Sequence, residues 1–272
     1  MPTRGLDDSC AVEFYRTVLK TLHRADVSFL VGGTYAMEAL AGISRLTKDL
    51  DLLLAHQDWP AACSALGDAG IDCNIVYPHW LGKAIRDDFF VDLIFASGNG
   101  VARVDETWLA HGSLGTVLEV PVRVCPPEEM IWSKAFVMER ERFDGADVLH
   151  ILRHSGRQLN WRRLVDRFAD HRDVLLAQLV LFGYVYPGAH DIVPDWVIAE
   201  LWAHRGTASA APNVCRGTLL SRTQYLVDVN AWGAADARLG PHGTMSDDDV
   251  AEWTAEIEPG TVPLPAPSLV DR

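Results

Sequence analysis

Between residues 10 and 24 the apolar positions Val12, Phe14, Tyr15, Val18, Leu19 and Leu22 recur every three or four residues, preceded by Asp7, Asp8 and Ser9 as caps. That spacing predicts an amphipathic helix. A short apolar run over 27–31 predicts a strand that passes straight into Gly32 and Gly33, after which 34–40 is helical in pattern. Further strands are expected over 49–54, 71–77, 89–95 and 116–124, the last carrying Pro121 and so placed near a sheet edge, with a helix over 59–69 closed by Gly70. After Pro126 and Pro127 the spacing turns helical and stays so, over 128–141, 146–153, 161–169, 174–184 and 196–203. From Gly206 onward Gly, Pro, Ala, Ser and acidic residues dominate. The expectation is an α+β chain: a mixed-sheet core over 1–125, an all-helical part over 126–205, and an extended, acidic, partly irregular tail over 206–272.

Composition narrows the setting. The chain has 272 residues with 24 Lys plus Arg against 37 Asp plus Glu, a formal charge of −13, which disfavours a protein that coats nucleic acid with its whole surface. Six of the acids lie in the tail between Ser246 and Glu258, so the rest of the chain stands at −7. The five cysteines are scattered and never spaced as C-x-x-C, so neither a disulfide framework nor a zinc site is signalled, and free thiols in a reducing compartment are expected. The most apolar stretch, 174–186, is too short for a bilayer, and the first ten residues have no apolar run, so a cytoplasmic protein without a membrane partner is expected.

The chemistry concentrates in 29–54, FLVGGTYAMEALAGISRLTKDLDLLL. A strand that ends in two glycines before a helix lets the backbone approach a ligand closely and presents N–H groups that suit phosphate oxygens, and it equally fits a plain strand-to-helix turn. Asp49 and Asp51 sit at i and i+2 on a strand, so their carboxylates project from one face among Leu50, Leu52, Leu53 and Leu54. Like charges that close repel unless a cation joins them, and hard oxygen donors suit Mg2+. Asp92 interrupts the apolar run FFVDLIFAS, where a lone carboxylate is expensive unless paired or metal-bound. It is the candidate third ligand and a candidate general base, and if its strand lies beside that of Asp49, three carboxylates converge near the glycine turn as two-metal phosphoryl transfer requires. Arg45 and Lys48 fit two readings equally, neutralising phosphates or balancing the neighbouring acids.

As a set, strand, Gly-Gly-Thr, helix, Arg45, Thr47, Asp49-Leu50-Asp51 and a later hydrophobic-Asp-hydrophobic strand resemble the nucleotidyltransferase superfamily that shares its core with DNA polymerase beta. The match is nearest to its abortive-infection, type IV toxin branch. The resemblance extends over PEEMIWSKAFVMERERFDGADVLHIL, where Lys134, Arg140, Asp144 and Asp147 match, and covers residues 10 to 155. It implies that Asp49, Asp51 and Asp92 hold two Mg2+ ions, that Asp92 helps deprotonate the acceptor, that Gly32, Gly33 and Thr34 cradle the NTP phosphates, and that Lys134 touches the triphosphate. Either Asp144 or Asp147 takes the branch's distal acidic role, with helix capping an alternative for Asp144. The implied setting is bacterial and toxin-antitoxin-like, with a cognate antitoxin as a partner.

The implied reaction moves an NMP from an NTP to an acceptor and releases pyrophosphate. Six arginines, Arg153, Arg157, Arg162, Arg163, Arg167 and Arg172, with Trp161 among them, form either a wall for a tRNA or RNA end or a solvated helical face. An acidic pocket for a cationic, antibiotic-type small molecule is the alternative acceptor site. A non-catalytic nucleotide-binding module of the same fold is the alternative from a different class.

Overall fold

A computed structural model of the chain describes residues 8–45, 47, 49–207 and 213–255. Lys48 therefore lies outside the described residues, as does the end of the acidic tail. One mixed sheet of seven strands organises the structure: β1 (Leu30–Val31), β2 (Asp51–Leu53), β3 (Asp72–Tyr77), β4 (Leu81–Arg86), β5 (Phe89–Ile94), β6 (Ser113–Val117) and β7 (Val120–Val124), in the order β3-β4-β5-β2-β1-β7-β6. β2 runs parallel to β5 and β1 parallel to β7, while the other neighbours are antiparallel. The class is α+β.

Helix α1 (Asp8–Arg24) buries Phe14, Tyr15, Val18, Leu19 and Leu22, the apolar stripe that its spacing predicts. Helix α2 (Gly33–Ala41) follows β1 directly, and α3 (Trp59–Asp68) packs between α1 and β3. Beyond the sheet lie α4 (Glu106–His111), α5 (Pro127–Lys134), α6 (Gly145–Ser155), α7 (Trp161–Phe168), α8 (Arg172–Val185) and α9 (Asp195–Thr207). One apolar core runs continuously from Phe14 on α1 to Ala237. Among the described residues no helix is long and apolar enough to cross a membrane.

Four expectations need correction. The helix expected over 128–141 stops at Lys134, and the chain doubles back through a Met138 to Phe143 bridge. The amide of Met138 donates to the Leu220 carbonyl and that of Glu139 to the Arg142 carbonyl, so tertiary partners replace helical ones. The strand expected over 116–124 is a hairpin, β6 and β7, turned by Leu118 (φ 49°) and Glu119 (φ 65°) in the left-handed region that two-residue hairpin turns use. Pro121 consequently sits one strand in from the edge, where β1 pairs with β7 only through Val31 and Val124.

Strand β4 and helix α4 were not expected. The sequence LGKAIR alternates poorly, and α4 is short, held by the Asp105 carboxylate accepting from the Thr107 and Trp108 amides at 2.8 and 3.2 Å. The tail is also more regular than expected up to residue 255. It carries β8 (Val214–Cys215), α10 (Leu226–Asn230), β9 (Ala235–Asp236) and α11 (Asp247–Ala255), and Trp253 of α11 is buried against β3, β4 and Gly98.

Candidate active site

β2 and β5 are register-paired with Asp51 opposite Asp92, so the two carboxylates leave the same face of adjacent strands. Asp49 precedes β2 by two residues and shares that face. One oxygen from each of Asp49, Asp51 and Asp92 lies within 4.8 Å of the others. Thr47 Oγ1 donates to Asp49 Oδ1 at 2.5 Å, which fixes the first acid from the loop before the strand. The convergence expected from the sequence is therefore present.

The glycine turn is placed differently from the simple cradle. Gly32 donates its N–H to the Asp51 carbonyl at 2.9 Å, so that amide serves the sheet, and Gly32 does not border the cavity. Gly33, at φ 53°, opens α2 and its α-carbon faces the Asp51 carboxylate so closely that a Cβ there would collide with it. Gly33 and Thr34 border the cavity, and the first turn of a helix leaves N–H groups without intrahelical partners.

Across the cavity stands a cationic group. Lys134 Nζ bridges Asp144 Oδ2 at 2.8 Å and Asp147 Oδ2 at 2.9 Å, Arg142 grips Asp144 through two bonds of 2.8 Å, and Arg45 Nη2 meets Asp147 Oδ1 at 2.8 Å. Asp144 opens α6 without capping it through its side chain, so capping does not account for it. Burial alone would raise Asp144, but the Arg142 bonds and Lys134 hold it below the usual carboxylate range. Arg142, and not Arg140, borders the cavity, with most of its side chain exposed at the rim; it follows the early end of α5, and no helical spacing signals it.

The acids themselves are poorly compensated. Burial, then the charges of Asp49 and Asp92, push Asp51 up to about 7 against the pull of Lys134 and Arg142. Tyr15 of α1 lies behind them, its hydroxyl pushed up to about 12 by burial, Tyr35 and the three acids. Burial also raises Asp92, although Lys83 of β4, a residue the sequence did not single out, bonds its Oδ1 at 2.8 Å. Three convergent carboxylates, one of them protonated near neutral pH in the bare protein, form an all-oxygen donor set short of positive charge. That set fits a hard divalent cation such as Mg2+.

The three acids and, facing them, Arg45, Lys134, Arg142, Asp144 and Asp147 border one cavity of about 540 Å3. Beyond the acids its wall mixes apolar and aromatic residues, Leu53, Ile94, Trp80, Trp108 and Leu219, with the polar Ser97, Asn99 and Ser133, and the tail adds Ser221, Arg222 and Trp253. The segment 219–222 is clamped on both sides: Asn99 donates to the Leu219 carbonyl at 2.7 Å, while Glu139 accepts from Ser221 Oγ at 2.7 Å and from the Arg222 amide at 3.0 Å.

The arginine-rich helices are committed elsewhere. Arg157 pairs with Asp191, Arg162 with Glu200, Arg163 with Glu128, Arg167 with Asp105 and Glu129, and Arg172 with Glu200. Trp161 is 7% exposed and donates its indole N–H to the Gly156 carbonyl, so it offers no stacking face. Five of the six arginines are thus tied into ion pairs within the chain and Arg153 is exposed, which favours the solvated-face reading of this stretch over a wall for an RNA end.

No protein-family model matches the chain, and neither does any curated protein. Among solved structures the chain is similar to the antibiotic-resistance factor ANT(2'')-Ia in solution, with 16% identity, 74% of this chain and 100% of that chain covered, and a TM-score of 0.40. It is similar to the lincomycin-bound lincosamide antibiotic adenylyltransferase LnuA at 14% identity, covering 52% of this chain and 94% of that one, with a TM-score of 0.36. A tRNA-processing enzyme in an apo form gives 15% identity, 76% and 65% coverage, and a TM-score of 0.29.

Proposed function

We propose that this protein is a Mg2+-dependent nucleotidyltransferase that moves an NMP from an NTP to an acceptor hydroxyl and releases pyrophosphate. The observation that carries the reading is the facing of two charge groups across one cavity: Asp51 and Asp92 on paired strands with Asp49 just before the first, and Arg45, Lys134 and Arg142 opposite. Asp49 and Asp51 are the residues that would hold divalent ions, and Asp92 stands beside them on the neighbouring strand. Such ions supply charge neutralisation at the phosphates and polarise the phosphoryl oxygens.

The remaining work falls to the chain. The start of α2 at Gly33 and Thr34 orients phosphate oxygens, and Lys134 and Arg142 offset the charge that grows on the leaving pyrophosphate. Asp92 is the base nearest the acceptor. Because Lys134 and Arg142 are pre-held by Asp144 and Asp147, they meet the phosphates with little reorganisation.

A small hydroxyl-bearing acceptor is the second part of the reading, in preference to a tRNA end. The internal pairing of the arginines and the burial of Trp161 favour it, and the cavity of about 540 Å3 falls in the range that small-molecule sites occupy. The test is incubation with each α-labelled NTP and Mg2+, in parallel with total cellular RNA and with an RNA-free small-molecule extract. Label in a low-mass product, lost in Asp49→Asn, is the expected result. Label on RNA would restore the tRNA acceptor and its toxin-like setting, and NTP binding without turnover would leave a nucleotide-binding module.

Lys134→Met is expected to weaken binding of a non-hydrolysable NTP analogue by about tenfold or more, since it removes a charge-assisted contact and releases Asp144 and Asp147. Calorimetric titration checks this, and unchanged affinity would remove Lys134 from the phosphate side.

A further inference from the structure

Asp92 has a partner that the proposed reaction has not used. β4 pairs with β5 residue for residue, and the pairing sets Lys83 directly across from Asp92. Lys83 Nζ lies 2.8 Å from Asp92 Oδ1 and 3.8 Å above the centre of the Phe90 ring, so the ammonium is held by a carboxylate and an aromatic face together. Both side chains are mostly buried, at 26% and 16% exposure. Lys83 does not border the cavity, whereas Asp92 does.

The order across the sheet gives this pair a direction. At one level lie Lys83 on β4, Asp92 on β5 and Asp51 on β2, and Gly33, at the start of α2, lies against Asp51. In displacement at phosphorus the entering and leaving oxygens stand roughly in line on opposite sides. The start of α2 with Lys134 and Arg142 marks the pyrophosphate side, which leaves the Asp92 side for the acceptor.

We propose that Lys83 is a positioning residue that reserves Asp92 for the acceptor: by holding Oδ1 it withdraws this carboxylate from the metal-binding set and leaves Oδ2 to receive the acceptor's proton. The inference rests on the nucleotidyl-transfer reading. In the step it serves, the acceptor oxygen bonds to the α-phosphorus and its proton passes to Asp92. The bond from that phosphorus to the bridging oxygen breaks, and pyrophosphate leaves with the electron pair. Asp49 and Asp51 then form the metal set by themselves in the NTP-free protein.

The test is a double-mutant cycle read by Mn2+ binding to the NTP-free protein, followed by electron paramagnetic resonance. Asp92→Asn in the wild-type background is expected to change Mn2+ affinity by less than about threefold, Lys83→Met to tighten it about tenfold, and Asp92→Asn added to Lys83→Met to cancel that gain. A tenfold loss from Asp92→Asn alone, or no gain from Lys83→Met, overturns the proposal. A second arm follows NMP transfer. Lys83→Met is expected to lower kcat about 30-fold or more with KM for the NTP within about twofold, and Lys83→Arg to recover part of it because it keeps the charge at Oδ1. Equal kcat in Lys83→Met and wild type overturns the role in transfer. Absence of transfer in wild-type protein overturns the nucleotidyltransferase reading, and the Mn2+ cycle still decides whether Asp92 belongs to Lys83.

Discussion

Asp51→Asn will abolish nucleotidyl transfer and at the same time raise the melting temperature of the metal-free protein at pH 8, but not at pH 4. The two effects share one cause. Asp51 is a half-buried carboxylate beside Asp49 and Asp92, and its pKa is pushed up to about 7 from the ordinary 3.8. The folded protein therefore binds this proton more tightly than the unfolded chain does. Stability contributed by the protonated form is complete below pH 3.8, declines as pH rises through the window to about 7, and is gone above it. A shift of about three units corresponds to a ceiling of about 4 kcal/mol at 1.36 kcal/mol per unit, which solvent access and relaxation reduce to about 2 kcal/mol. For a chain of this size about 2 kcal/mol corresponds to about 4–8 °C in Tm. Asparagine removes the charge at nearly constant shape, so the gain appears at pH 8 and vanishes at pH 4. Calorimetry at both values in EDTA measures it, and an equal shift at the two would disprove the electrostatic cause. Excess Mg2+ should reverse the ranking at pH 8, stabilising the wild type more than the variant, because a ligand that binds only the folded state adds its binding energy to stability. Transfer itself should fall about 1,000-fold or more, as expected when a group that organises charge in the transition state is lost.

The elements that hold this acid were legible in the sequence because each depended on local pattern. An i, i+2 pair of aspartates on an apolar strand can only share a face, and an aspartate inside FFVDLIF needs a counter-charge, so the meeting of Asp51 and Asp92 required only that two strands be neighbours. The counter-charges were less legible. Lys83 lies on LGKAIR, whose alternation is too weak to show β4, and its meaning arises from cross-strand register, which no single strand contains. Arg142 reaches the site because α5 ends at Lys134, and the chain leaving it is held by the bond from the Met138 amide to Leu220, in a tail segment about 80 residues further along. Charge patterning left two readings open for the same reason. Arg163 and Arg167 fit either a wall or a solvated face until Glu128, Glu129 and Asp105 arrive from other elements. The tail read as irregular because its helices are short, and its contribution to the cavity wall through Arg222 and Trp253 is a tertiary fact.

Gly33→Ala will cost more activity than any other single methyl group added near the site, while Gly32→Ala will be mild. The two glycines are equivalent in the sequence and differ in place. Gly32 has φ −111°, an extended value open to any residue, and an added Cβ would press on the Leu53 side chain at 3.1 to 3.2 Å, a crowding that a shift of a few tenths of an ångström relieves. Gly33 has φ 53°, where alanine is strained by about 1 kcal/mol, and its Cβ would occupy the space of the Asp51 carboxylate. Relief requires either that α2 lift from the sheet or that Asp51 rotate away from Asp49 and Asp92. Both break the relation between the acids and the start of the helix, and displacements of about 1 Å at reacting groups cost about 100-fold in rate. The expected result is a loss of kcat of about 100-fold or more in Gly33→Ala, against less than about threefold in Gly32→Ala, with both proteins folded by circular dichroism. Steady-state transfer with the labelled NTP measures the split. Equal losses in the two variants would show that the glycines serve only the turn. The predicted asymmetry would show that Gly33 is glycine because a catalytic carboxylate needs the space its side chain would fill.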